Sequence, residues 1–327
     1  MLILLAFTGC GRAEYQEIAG PTMGTQFRVQ ARCGDVLERS AVEAVLDEVV
    51  DTMSTYDPRS WISTFNAAPI DAWVDVPAGV AEVLAVAQSL HERSRGAFDV
   101  TVGALVNTWG FGPTVVDDAL PGSAAIAASR QRVGFRKLEF DAGRLRKRAD
   151  VYVDLSAIAK GYAVDRLAAL LAESLCGDFL VDVGGEMRVG GVNPLGTAWR
   201  IGIEVPRREG LREAQRILRL SNEAIATSGD YRNYREVGGK YVSHLIDPRK
   251  GAPVEHALAS VSVIHPSAMW ADGYATTLGV LGPEAGLEFA NLHGIDVLMI
   301  VRIPFGFEEL LSDTMRARLV PRATDAP

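Results

Sequence analysis

The chain has 327 residues, is 48% hydrophobic and 23% charged, and carries a formal net charge of −8. That length allows one large domain or two modest ones with a sizeable core. The acidic balance, without any long Lys/Arg cluster, excludes nucleic acid as the main partner.

The N-terminus reads MLILLAFTGCGR, a short apolar run directly before Cys10. The run is far short of the about 20 residues a bilayer span needs. It is either an ordinary packed start or the end of a secretory signal whose Phe-Thr-Gly-Cys resembles a lipobox, with Cys10 as a lipidated anchor. The basic n-region is missing and Phe7 stands where Leu is usual. A start codon placed a few residues late would account for the missing charges. Cys33 and Cys176 remain, and the sequence leaves their pairing open. No Cys/His spacing suggests zinc.

Residues 11–18 read as a polar tether, and PTMGTQFRVQ as a turn followed by a strand with Phe27 and Val29 on one face. In SAVEAVLDEVVDTM, Ser40 and Glu43 have capping-box spacing, and Val42, Val45, Leu46, Val49, Val50 and Met53 share a helical face. A second helix over 78–94 follows Pro77 and stops at Gly96. A small helix at 123–133 leads into the hairpin KLEFD/RLRKR, and a third large helix covers 157–175. Strands are expected at 179–183, 186–190, 199–205, 215–220, 223–227, 241–246 and 259–264. Helices at 268–281 and 283–292 follow, then a last strand DVLMIVR. This mixed order predicts an α+β fold: a single compact domain of mixed sheets and helices, with room for two lobes. The expected organisation is a signal remnant at 1–10, the tether at 11–18, a catalytic domain at 19–305 and a C-terminal tail at 306–327.

Several polar residues sit where packing alone would not put them. Asp272 and Thr276, four apart in MWADGYATTLG, fall on one face of an otherwise apolar helix. A carboxylate there needs a basic partner, a cap to serve, or a metal. Carboxylate and hydroxyl are hard oxygen donors suited to Mg²⁺. The alternative is that Asp272 caps its helix and Thr276 bonds back to a carbonyl. In VDLSAIAKGYAVD, Asp154 precedes a helix whose first turn holds Lys160, against the dipole. Such a lysine is either solvated or reaches an anionic ligand or carboxylate. VDVGGEMRVGG places Gly184 and Gly185 between two strands, as a phosphate-facing turn or a plain hairpin. GAFDVTVGALVNTWGFG sets Asp99 among apolar residues, either hydrogen-bonded within a turn or facing a cleft. Its Trp109, Phe111 and glycines would suit a planar ligand such as a flavin. His244, in SHLIDPRKG, ends a strand before an Asp-Pro turn and could serve as a base near neutral pH.

The ordered motifs PTMGT, STYDPRSWISTFN, GAFDVTVG, DLSAIAKGYAVD, VDVGGEMRVGG, TSGDYRNY, SHLIDPRKG and ADGYATTLGVLG resemble the FAD:protein FMN transferase (ApbE-like) family over about residues 19–305. The resemblance implies Mg²⁺-dependent transfer of FMN from FAD to a Thr or Ser of an acceptor protein, through a phosphoester, with release of AMP. By resemblance, Met23, Tyr56, Ala97, Phe98, Asp99, Asp154, Lys160 and Ile246 contact FAD in a cleft between the lobes. Asp272, Thr276 and the backbone oxygen of Ala157 hold the metal. Ala275 stands where some members supply a further carboxylate. His244 is expected to deprotonate the acceptor hydroxyl, with Asp272 the second catalytic residue through its metal. The implied partner is an acceptor with a Ser-Gly-Ala-Thr-type flavinylation motif, a subunit of a redox-driven ion pump or an exported electron carrier. Family members are commonly exported lipoproteins, which favours Cys10 as a lipid anchor at the periplasmic face of the cell membrane. Two alternatives share the motifs: a Mg²⁺-dependent FAD pyrophosphatase, and an FAD-binding lipoprotein without turnover.

Overall fold

Alternating apolar residues shape the first two strands, and the computed structural model closes them into a hairpin. It describes residues 14–114, 119–207, 213–230, 234–237 and 239–319. Cys10, with the signal and anchor reading, lies outside the described residues. Strand β1 (Gln16–Thr22) turns through Met23 and Gly24 into β2 (Thr25–Arg32). Both turn residues have positive φ, 47° and 70°, the geometry that lets a two-residue hairpin follow the strand twist. The stretch read as tether and turn therefore supplies an edge strand.

Helix α1 (Arg39–Met53) buries Val42, Leu46, Val49 and Met53. The capping box is not formed: Glu38 is the N-cap, without a side-chain bond, and Glu43 pairs with Arg39 at 2.9 Å. Helix α2 (Trp61–Ala67), capped by Ser60, and β3 (Val74–Asp75) come next. Helix α3 (Ala78–Arg93) ends before Arg95 and Gly96, both at positive φ. Helices α4 (Gly103–Thr108) and α5 (Ser123–Gln131) lead to β4 (Leu138–Asp141) and β5 (Arg144–Lys147), which join β3 in a small sheet. Helix α6 (Ala159–Glu173) precedes β6 (Asp178–Val183), β7 (Glu186–Gly190), β8 (Trp199–Glu204), β9 (Ala214–Leu220) and β10 (Glu223–Gly229).

The strand expected over 241–246 is broken. β11 (Tyr234–Val237) pairs with β12 (Lys240–Ser243), then His244 and Leu245 interrupt before β13 (Ile246–Asp247), which pairs with β14 (Ala252–Pro253). The Ser243 hydroxyl accepts the Leu245 N–H at 3.1 Å, a local bond that competes with the ladder. Strand β15 (Leu258–His265), α7 (Ala268–Leu281), α8 (Pro283–His293) and β16 (Asp296–Ile303) follow. The expected tail instead contributes β17 (Gly306–Leu311) and α9 (Asp313–Leu319).

Eight strands form one antiparallel sheet in the order β1-β2-β6-β7-β10-β15-β16-β17. Its helical face packs Val29, Val181, Ala226, Val263 and Met299 against α1, α3, α6, α7 and α8. Its other face packs Val189, Ile225, Ile264, Leu298 and Ile300 under the β8–β9 hairpin and Met315 of α9. Covering on both faces explains why β15 and β16 are nearly continuous apolar runs. The α+β expectation holds. Cys33, just past β2, and Cys176, just before β6, form a disulfide across neighbouring strands. No described helix is long and apolar enough to cross a membrane.

Candidate functional site

Helix α7 is buried along most of its length, and Asp272, 3% exposed, lies within it. The carboxylate does not cap its own helix, since Ser267 fills that role by accepting the Trp270 N–H. Instead Asp272 Oδ2 accepts the Gly161 N–H at 2.9 Å, in the first turn of α6. That N–H has no partner within α6, and the positive end of the helix favours a negative charge there. The helices approach this closely because residue 161 is glycine: a Cβ there would lie 2.7 Å from Asp272 Cβ and overlap the Ala268 carbonyl.

Lys160 lies against the dipole because two carboxylates hold it. Its Nζ is 2.9 Å from Glu186 Oε1 and 3.9 Å from Asp272 Oδ1. Burial alone would lower the Lys160 ammonium, but Asp272 and Glu186 outweigh it and raise the group above the ordinary lysine range. Burial pushes Glu186 up to about 7 against the pull of Lys160, and it raises Asp272 against Lys160 and the Gly161 N–H. Glu186 Oε2 is buried and has no hydrogen-bond partner among the described residues.

Thr276, one turn beyond Asp272, directs its hydroxyl to the Ala157 carbonyl at 3.4 Å. It does not bond back within its helix; Thr277 does, to Gly273 O at 2.7 Å. Asp272, Thr276 and Ala157 thus meet where α7 crosses the start of α6. Among the described residues no cluster of three or more His, Cys, Asp or Glu could hold a metal. A cation here would depend on one carboxylate and neutral oxygens, a hard-donor set that fits Mg²⁺ completed by water, with substrate phosphate replacing water when it binds.

Asp154 precedes the cluster and bonds the Ser156 N–H and hydroxyl at 2.9 and 2.5 Å. Across from it, Tyr56 is 64% exposed and donates to the Phe111 carbonyl at 3.0 Å. Partial burial raises the Tyr56 phenol, and the nearby negative charge of Asp154 adds to this. A cavity of about 470 Å³, lined by Thr55, Tyr56, Ser63, Asn66, Pro113 and Tyr152, opens beside it. A second cavity of about 480 Å³, between α5 and Lys250, shares no residue with the cluster. The Phe111 ring lies edge-on to His244, with centroids 6.3 Å apart. Leu245 seats that loop in the notch left by Gly279, one turn past Thr276. Ile246 is buried in β13. The Met23 turn lies at the same end of the sheet as the Gly184-Gly185 turn, because Gly184 packs on Thr25 and donates to Gln26 O at 3.0 Å.

Of the two readings of Asp99, its side chain takes the turn. Ala97, Phe98 and Asp99 are all buried. The Asp99 carboxylate takes the Thr101 N–H and hydroxyl and the Phe135 N–H, and faces His91 Nδ1 at 3.3 Å. Its side chain ties a turn inside the fold and does not line the cluster; the segment positions Asp154, whose N–H bonds Val100 O at 2.8 Å. Two residues that hold this cluster together are absent from the sequence reading. Glu186 is one. Asp165 is the other: it accepts the Ser267 hydroxyl and the Ala268 and Met269 N–H groups, clamping α7 to α6.

The ApbE family profile matches residues 23–299. The chain belongs to the ApbE family. It is 40% identical over 320 residues to the FAD:protein FMN transferase of Vibrio cholerae, covering 96% of each chain. It is 35% identical over 336 residues to that of Escherichia coli, covering 97% of this chain and 95% of the other. The ApbE flavin transferase structure from V. cholerae superposes with a TM-score of 0.86 at 38% identity, over 93% of this chain and 99% of that one. The apo flavinyl transferase ApbE of Pseudomonas stutzeri gives 0.85 at 37% identity, over 94% and 98%. Fold and family are those of a flavin transferase acting on FAD and an acceptor protein.

Proposed function

We propose that this ApbE-family chain moves FMN from FAD to a Thr or Ser hydroxyl of an acceptor protein, forming a phosphoester and releasing AMP, with Mg²⁺ held by Asp272, Thr276 and the Ala157 carbonyl. The observation that carries this reading is the meeting of those three oxygens with the Lys160 ammonium and the α6 N-terminus at one point. A diphosphate needs such a set: hard oxygens for its metal, and a cation and helix dipole for its charge. An ion held by these residues would supply positive charge to the diphosphate oxygens.

The chain's own residues supply the rest. Tyr56, Met23 and Ile246 border the flavin cleft, and Asp154 fixes the turn that presents Ala157 and Lys160. His244 takes the proton from the acceptor hydroxyl, which is a poor nucleophile unaided. The hydroxyl oxygen bonds to the FMN phosphorus, the bond from that phosphorus to the bridging oxygen breaks, and AMP leaves with that oxygen. The disulfide supports an oxidising compartment. We place the protein at the periplasmic face of the cell membrane, anchored through Cys10. Its partner there is an acceptor with a Ser-Gly-Ala-Thr-type motif, on an ion-pump subunit or exported electron carrier.

The test mixes protein, FAD, Mg²⁺ and an acceptor bearing that motif, and follows acceptor mass and AMP. A gain of one FMN with equal AMP is expected, and His244→Ala should slow it by about a hundredfold or more. AMP and free FMN without adduct would instead make the chain a pyrophosphatase. Unchanged FAD would make it a binder, and full transfer by the variant would remove His244 as base.

A further inference from the structure

Helix α6 and strand β7 face each other through two ion pairs of opposite sense: Lys160 with Glu186 at 2.9 Å, and Asp165 with Arg188 at 2.6 Å. Five helical residues advance about 7.5 Å and two strand residues about 6.8 Å, so both pairs close in one register. The Asp165 pair is tied in turn to the first turn of α7. Glu186 is thereby held in place relative to Lys160 and Asp272 alike.

One ammonium stands between two buried carboxylates, and it stands closer to Glu186. Asp272 Oδ2 is committed to the Gly161 N–H, while Oδ1 is 3.9 Å from Lys160 Nζ, beyond hydrogen-bond contact. Oδ1 is the oxygen left for a metal. We propose that Glu186 is a positioning residue: it holds the Lys160 ammonium to one side and so keeps Asp272 Oδ1 open to a divalent cation. The inference rests on the cation site proposed above. Without the Glu186 charge, the nearest anion to Lys160 is Asp272. Closing that gap to a charge-assisted contact of about 2.8 Å sets a tethered cation on the oxygen that the metal needs.

The experiment is a Mn²⁺ titration of the full chain without FAD, followed by electron paramagnetic resonance of the free ion, with thermal melting to check folding. Glu186→Gln should weaken Mn²⁺ binding about tenfold or more. Adding Lys160→Gln to that variant should restore binding to near wild type, because the competing ammonium is gone. If the double variant binds as weakly as Glu186→Gln, Glu186 is itself a ligand and the proposal fails. It fails equally if Glu186→Gln binds like wild type. Should Glu186→Gln not fold, Glu186→Asp takes its place, with a smaller loss that Lys160→Gln again reverses. Asp272→Asn separates the two levels: wild-type affinity in that variant, or no Mn²⁺ binding by the wild type, overturns the cation site itself and this inference with it.

Discussion

Replacing Gly161 by alanine tests whether the crossing of α6 and α7 sets the site. The new Cβ would meet Asp272 Cβ at 2.7 Å and press on the Ala268 carbonyl. Carbon atoms prefer about 3.5 Å or more, so the helices must part by about 0.8 Å at least. Overpacking of this kind costs about 1–3 kcal/mol, and the better helix propensity of alanine offsets up to about 1 kcal/mol. The net loss of stability is therefore modest, about 0–2 kcal/mol. The loss of activity should be larger. Parting the helices stretches the 2.9 Å bond from Gly161 to Asp272 and moves Thr276 from Ala157. Misplacement near 1 Å costs about a hundredfold in rate. The assay is FMN transfer to the acceptor at saturating FAD across a Mg²⁺ series, with urea unfolding alongside. Gly161→Ala with wild-type transfer and wild-type stability would refute the view that this close approach builds the site.

Three further outcomes follow from the same geometry. Asp165→Asn leaves Arg188 without its carboxylate and weakens the cap on α7, so it should destabilise the fold by about 3 kcal/mol in urea unfolding. His91 is raised above its ordinary value, chiefly by its bond to Asp99, with burial opposing. A raised folded pKa means that this stability is fully present below the unfolded value of about 6.5 and is lost as pH rises through the higher folded value. His91→Gln should therefore cost more stability at acid pH than at alkaline pH, and an equal cost at both ends of a urea series would refute this. The Cys33–Cys176 disulfide closes a separation of 143 residues. Reducing it, or replacing both cysteines by serine, should cost about 3–5 kcal/mol, read as a lower melting temperature.

The long elements were legible because their periodicity is strong: α1, α3, α6 and α7 lie close to where the apolar spacing put them. Asp272 and Thr276 could be paired because both lie on one helix. Short elements were harder. α2 and α4 span seven and six residues and are held by tertiary packing that a local pattern does not encode. Edge strands β1 and β17 mix exposed and half-buried residues, so their alternation is faint. The sequence left Asp99 open between two roles because an acid among apolar residues gives the same signal whether it faces a ligand or ties a turn; Thr101, two residues on, is the clue to the turn. Glu186 was missed because its partner lies on another element. The trace that could have found it is the opposite polarity of Lys160/Asp165 and Glu186/Arg188 at matching advance.

The disulfide also acts as a check on register. Strands β2 and β6 pair Arg32 with Asp178, and the two cysteines lie just outside that pair. A slip of one residue would turn one cysteine to the opposite face of the sheet. A slip of two would carry their Cα atoms about 6.8 Å along the strand, out of bonding reach. Only a chain that has brought together two strands far apart in sequence, in the correct alignment, can seal this bond. An oxidised Cys33–Cys176 pair is then a covalent certificate that the first half of the molecule has been proofread, and a chain with free thiols under oxidising conditions would mark those that failed.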